Sequence, residues 1–166
     1  MRYYIDCEFD GHNGPLLQMA CVRENGVSMV CTVAVETVYD PWVIENVVPV
    51  KDAHEGFVDG ITGEGIDLYE VGNAMRWPID DATDKHPVII ADSPVDIARF
   101  CKAISTGKDG GWASVDYPSM TFEVHNVDSY PTDLEGAVQH NAYWDAMALR
   151  HRLTVGPAKP KLAVVE

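Results

Sequence analysis

The chain has 166 residues, 46% of them hydrophobic and 23% charged, enough for one domain with a sizeable core. Its formal net charge of -14 argues against broad electrostatic gripping of a long duplex, which calls for a basic surface that displaces counterions. No apolar run approaches the roughly 18 to 20 residues that span a bilayer, and Met1-Arg2-Tyr3-Tyr4 opens no signal-peptide pattern, so a soluble, cytoplasmic protein without membrane partners is expected.

In chain order, residues Arg2 to Phe9 alternate as a strand, and Leu16 to Val22 and Val27 to Val35 form two more apolar runs joined by Glu24-Asn25-Gly26. An Asn-Gly turn between such runs is a hairpin signal. Asp40-Pro41-Trp42-Val43-Ile44-Glu45-Asn46-Val47-Val48-Pro49, with proline near its start and beyond its end, predicts a short helix. From residue 51 to about 86 glycine and acid interrupt every period, which predicts a loop-rich insertion with one helix around Ile66 to Met75. Nine carboxylates between Asp52 and Asp84 face a single cation, Arg76, the pattern of a solvated acidic face.

Order returns at Pro87-Val88-Ile89-Ile90-Ala91, a short buried strand that stops at Asp92-Ser93-Pro94. Ser93 suits an N-cap and Pro94 the first helical position, and Ile97, Phe100, Cys101 and Ile104 mark one apolar helical face. A strand over Thr121 to Val127 and a last helix reaching about Leu153 follow, and the proline-containing tail cannot continue that helix. This order predicts one α/β domain over residues 1–155, with three antiparallel strands, then α/β alternation, flanking helices and a tail at 156–166. Cys7, Cys21, Cys31 and Cys101 form no CxxC pair and sit in apolar stretches, as core thiols rather than a disulfide framework or zinc knuckle.

Asp6 and Glu8, two apart on a strand, project from one face and can share a hard cation, while Cys7 points the other way. Asp96 stands third after Ser93, where a carboxylate either serves chemistry or complements the helix dipole. Asp92, at the strand end, is equally a turn-forming carboxylate or a supporting group beside the site, with Asp96 favoured over it as the metal-side acid. In His140-Asn141-Ala142-Tyr143-Trp144-Asp145-Ala146, residues five apart on one regular helix would point about 140° from each other. His140 and Asp145 converge only if Asn141 caps the helix, leaving His140 on the preceding loop while Ala142, Ala146, Leu149 and Leu153 turn inward.

Together these segments carry a resemblance. Ile5-Asp6-Cys7-Glu8-Phe9 resembles the first motif of the DEDDh 3′-5′ exonuclease superfamily, and His140 to Asp145 resembles its His-x-Ala-x-x-Asp motif. Ala91-Asp92-Ser93-Pro94-Val95-Asp96 is similar to the second motif, except that Asp92 stands where that family usually has Asn and Val95 where it has an aromatic. The resemblance spans Ile5 to Leu153 and looks closest to a small stand-alone 3′-5′ exoribonuclease family. It implies a ribonuclease H-like fold, a site of Asp6, Glu8, Asp96, His140 and Asp145, and two Mg²⁺ or Mn²⁺ ions held by the four carboxylates. It also implies single-stranded RNA or DNA 3′ ends as substrate, with RNA favoured, and a homodimer.

Oxygen-only ligands suit Mg²⁺ or Mn²⁺ rather than zinc. His140 would take a proton from the attacking water, a task suited to imidazole. Phe9 and Trp144 are candidates for stacking on a terminal base, with core packing the favoured reading for each. A DNA exonuclease of proofreading type, a ribonuclease H-like endonuclease and an inactive nucleic-acid-binding or scaffold protein of the same fold are the competing readings.

Overall fold

The computed structural model describes residues 1–55, 60–77, 79, 86–113, 119–126 and 134–155. Its elements are β1 (Arg2–Phe9), β2 (Leu16–Arg23), β3 (Ser28–Val33), α1 (Pro41–Asn46), β4 (Gly60–Ile66), α2 (Leu68–Arg76), β5 (Val88–Ala91), α3 (Pro94–Ile104), β6 (Thr121–Val124) and α4 (Ala142–Val155). A turn of 3₁₀ helix at Val48–Val50 follows α1. The expected tail at 156–166, the end of the strand expected to reach Val127, and parts of the 51–86 segment lie outside the described residues.

The strands form one mixed sheet in the order β4-β3-β2-β1-β5-β6. The first three are antiparallel neighbours, while β4 runs parallel to β3, β5 parallel to β1 and β6 parallel to β5. The chain is therefore α/β, as its element order predicts. Alternation along β1 sorts its side chains between two cores. Tyr3, Ile5 and Cys7 join Met19, Cys21 and Met29 under Val71 and Phe100 of α2 and α3. Tyr4 joins Ala20, Val22 and Val30 under Ala142, Ala146 and Leu149 of α4 on the opposite face. Cys7, Cys21 and Cys31 are buried thiols.

The helix starts follow local chemistry. Asp40 caps α1 by accepting from the Trp42 and Val43 amides, Asp67 and Glu70 form a reciprocal capping box on α2, and Ser93 accepts from the Val95 amide ahead of Pro94. Gly72 lets α2 approach α3 closely, since a Cβ there would lie 2.1 Å from the Ala103 carbonyl oxygen.

The 51–86 segment needs a correction, because it contains an edge strand, β4, as well as α2. Gly60, Gly63 and Gly65 erase the apolar alternation that announces a strand, yet backbone pairing with β3 tolerates them. Gly65 sits at φ +62° where the β3–β4 register slips, a conformation that glycine adopts without penalty. No helix among the described residues is long and apolar enough to cross a membrane.

Candidate active site

The acidic side chains gather at the carboxyl ends of the parallel strands β1 and β5, where open α/β sheets present their crevices. β1 runs on past Tyr4, its last residue paired with β5, and its further backbone on that side meets α3. There the Cys7 amide donates to the Asp96 carboxylate, and the Cys7 thiol lies 3.9 Å from the Asp96 carbonyl oxygen. Asp96 thus enters from the first turn of α3 and reaches the β1 pair although its helix lies on the other face.

Two groups of ligand-type atoms result. One oxygen each from Asp6, Asp92 and Asp96 lie within 4.8 Å of one another, and a His140 ring nitrogen lies within the same distance of oxygens from Glu8 and Asp145. Asp6, Asp96 and Asp145 are buried, and Glu8 is partly so. A cleft of about 240 Å³ is lined by Asp6 and Asp96 of the first group, by Glu8, His140 and Asp145 of the second, and by Phe9. A second compartment of about 290 Å³ shares Glu8 and Phe9 with it and extends to Asp40 and Trp42.

Crowding of like charge sets the electrostatics. Burial, then Asp145, Asp96, Glu8 and Asp92 in turn, hold the Asp6 carboxyl well above the ordinary carboxylate range. Burial and Asp145 push Glu8 up to about 8, and burial and Asp92 push Asp96 up to about 8. Asp145 rises to about 7, again through burial first, with hydrogen bonds from the His140 and Asn141 amides acting in the opposite direction. Side-chain hydrogen bonds join Glu8 to Asp145 and Asp96 to Asp92. Divalent cations at the same oxygens would supply the missing positive charge. The donors are all hard oxygens apart from one imidazole, a set that fits Mg²⁺ or Mn²⁺.

His140 occupies the turn before α4 and is the one non-glycine residue among those described with positive φ, +64°. Its backbone amide donates to Asp145 Oδ2 at 2.9 Å, which closes the five-residue gap that a regular helix could not. Asn141 begins the helix, its Oδ1 3.4 Å from the Trp144 amide. The left-handed turn at His140 and the capped start at Asn141 are one device.

Asn141 holds this device together with Gln18 and His54, two residues that no motif in the sequence singles out. Asn141 Nδ2 donates to the Val50 and Lys51 carbonyls, both at 2.9 Å, and lies 3.3 Å from His54 Nδ1. Gln18, paired across the sheet with Glu8, donates to the Lys51 carbonyl at 2.8 Å and accepts from the Ala142 amide at 2.9 Å. His54 Nδ1 lies within 3.5 Å of both side-chain amides, Gln18 Nε2 and Asn141 Nδ2. The one available signal was Gln18, a lone amide inside an apolar strand run; nothing in the acidic loop marked His54.

Phe9 lines the cleft under the Arg99 guanidinium, 4.9 Å from its ring centroid, and Arg99 also donates to the Gly14 carbonyl at 2.8 Å. Trp144 takes the core-packing alternative and not the stacking one. It is 4% exposed, packs edge-on against Tyr143 and donates through Nε1 to the Ala53 carbonyl, so it faces the core rather than the cleft. Its place four residues from His140, the first turn of a helix buried on most sides, turns it inward.

Scanned against protein-family models and searched among curated proteins, the sequence matches none.

Proposed function

We propose that this protein is a divalent-metal-dependent 3′-5′ exonuclease, with single-stranded RNA ends as its favoured substrate and a ribonuclease H-like fold. The observation that carries the proposal is the meeting of Asp6, Glu8, Asp96, His140 and Asp145 in one cleft, with His140 presented by a left-handed turn and hydrogen-bonded to Asp145. An acidic surface patch has no use for that turn, and an endonuclease using the four carboxylates alone leaves it without a role. The sheet order supports the fold, since β3-β2-β1-β5-β6 has three antiparallel strands followed by parallel ones, to which β4 adds an edge.

Asp6, Asp92 and Asp96 on one side, with Glu8 and Asp145 on the other, would hold two divalent ions, which supply charge stabilisation at phosphorus and at the departing oxygen. His140 takes the proton from the attacking water and, being half-exposed, can pass it to solvent. The Asp145 carboxylate fixes the turn from which the imidazole acts. Two short compartments side by side suit the end of one strand better than a duplex, in keeping with the net charge of -14. An exonuclease on DNA would use the same groups, and only contacts to the 2′-hydroxyl would separate the two.

The test is digestion of matched 5′-labelled single-stranded RNA and DNA with Mn²⁺, Mg²⁺ or chelator. The expected result is a ladder shortening from the 3′ end, faster on RNA, absent with chelator and absent in Asp6→Asn. Internal cuts would indicate an endonuclease, and a gel shift without cleavage would leave a binding protein.

A further inference from the structure

Trp42 stands out among the exposed aromatic residues. It is 53% exposed on a helix whose other face buries Val43, and its ring meets the His140 ring edge-on, with centroids 4.9 Å apart and planes at 79°. His140 needs such a partner. Its backbone is committed to the left-handed turn and to Asp145, while its half-exposed ring lies at the mouth of the cleft.

Trp42 is itself rigidly placed. Asp10, one residue beyond β1 and 7% exposed, accepts from the Tyr39 and Asp40 amides, each at 2.8 Å. Asp40 in turn accepts from the Trp42 amide at 2.9 Å, and Asn46 Nδ2 donates to the Trp42 carbonyl at 2.8 Å. The indole thus stands on a chain of hydrogen bonds rooted two residues after Glu8. It also lines the second compartment, which adjoins the first through Glu8 and Phe9.

We infer that Trp42 is a positioning residue for His140: its indole ring holds the imidazole in the rotamer that points into the acidic cleft. The inference deepens the exonuclease reading and rests on it. Edge-to-face aromatic pairs of this kind bias a conformation by about two- to ten-fold, and a misplaced base loses rate rather than substrate affinity. A Trp42 that served only to stack on a substrate base would do the reverse.

The experiment is a double-mutant cycle of Trp42→Ala and His140→Ala, read as single-turnover cleavage of a 5′-labelled single-stranded RNA with Mn²⁺ over a range of protein concentrations. Trp42→Ala is expected to lower the saturating rate constant about two- to ten-fold with little change in the half-saturating concentration. It should have no further effect on His140→Ala, and Trp42→Phe should restore most of the rate. Rate losses that multiply in the double variant, or a change confined to half-saturation, would overturn the inference and make Trp42 a substrate contact. NMR of the metal-free protein reads the geometry without catalysis: ring-current shifts on the His140 ring protons should vanish in Trp42→Ala, and their absence in the wild type would also overturn the inference. Wild-type protein that cleaves nothing but shows those shifts would refute the exonuclease reading, and with it a positioning role, while leaving the ring pair in place.

Discussion

Stripped of divalent cations, this protein should lose stability as pH rises from about 4 to about 8. Glu8 and Asp96 are held up to about 8 and Asp145 up to about 7, with Asp6 raised as well, whereas carboxylates in an unfolded chain ionise near 4. Between those limits the folded chain binds more protons than the unfolded one, so stability falls with rising pH. The protonated groups' contribution is fully present below about pH 4 and lost as pH passes about 7 to 8. Each proton retained only by the folded chain removes about 1.4 kcal/mol per pH unit. In a domain of this size that corresponds to a fall in melting temperature of about 3 to 6 °C per unit for a single retained proton.

The assay is thermal melting from about pH 5 to about pH 8, in chelator and in saturating Mn²⁺. Mn²⁺ should bind the ionised form and flatten the slope, so the stabilisation it brings grows with pH. General repulsion in an acidic chain also lowers stability at high pH, and a pair of variants separates the two effects. Glu8→Gln removes one raised carboxyl and should reduce the slope in chelator, while Glu45→Gln, on the exposed side of α1, should leave it unchanged. A chelated protein as stable at about pH 8 as at about pH 5, with no gain from Mn²⁺, would refute the crowded-carboxylate account.

Three further outcomes follow from the geometry. Asp96→Asn should abolish turnover and Asp92→Asn reduce it less, because Asp96 is the more buried of the two and also receives the Cys7 amide; matched single-turnover rates in Mn²⁺ give the order, and its reversal would assign the principal ligand to Asp92. His140→Ala should fold and still gain stability from Mn²⁺, yet cleave about a hundred- to ten-thousand-fold more slowly, and an unchanged rate would remove its role as base. Trp144→Phe should lower the melting temperature, through loss of its hydrogen bond to Ala53, without changing half-saturation by RNA; a weakened half-saturation would return it to the substrate.

The parts of this protein that the sequence made legible are those governed by short-range rules. β1 shows period-two alternation, β2 and β3 are short apolar runs, α3 shows a Ser-Pro start, and the Asn-Gly turn closes its hairpin, each decided within a few residues. The convergence of His140 with Asp145 was legible for the same reason, since helix geometry alone forbids it without a break. β4 was not, because three glycines leave the strand to be defined by its partner β3 rather than by its own side chains. Trp144 was ambiguous for a related cause: α4 is buried on most sides, so the inward stripe of Ala142, Ala146 and Leu149 does not tell where Trp144 points. Gln18, His54 and Asp10 act through contacts across long stretches of chain, and local pattern carries no record of those.

The long-range contacts explain how a strained turn survives in the cleft. A non-glycine residue at positive φ costs free energy, and the surroundings must overdetermine it. Here the overdetermination comes from Asn141, fully buried, whose side-chain amide donates to two carbonyls after α1 while its oxygen faces the Trp144 amide. The two roles can be separated by Asn141→Asp. Asp caps helices as well as Asn, so a residue that only capped would tolerate the exchange. The carboxylate has no protons to give, however, and would face the Val50 and Lys51 carbonyls with oxygen against oxygen. His54 can switch tautomer and donate from Nδ1; the two carbonyls have no such recourse. Asn141→Asp should therefore cost at least about 1 to 3 kcal/mol, the penalty for stripping a buried polar group of its partner, a fall of several degrees in melting temperature. It should also slow single-turnover cleavage, because the turn carrying His140 loses its anchor while Asp6, Asp92 and Asp96 keep theirs. Unchanged melting and rate would show that the cap alone holds the turn, and that the contacts to Val50 and Lys51 are incidental to it.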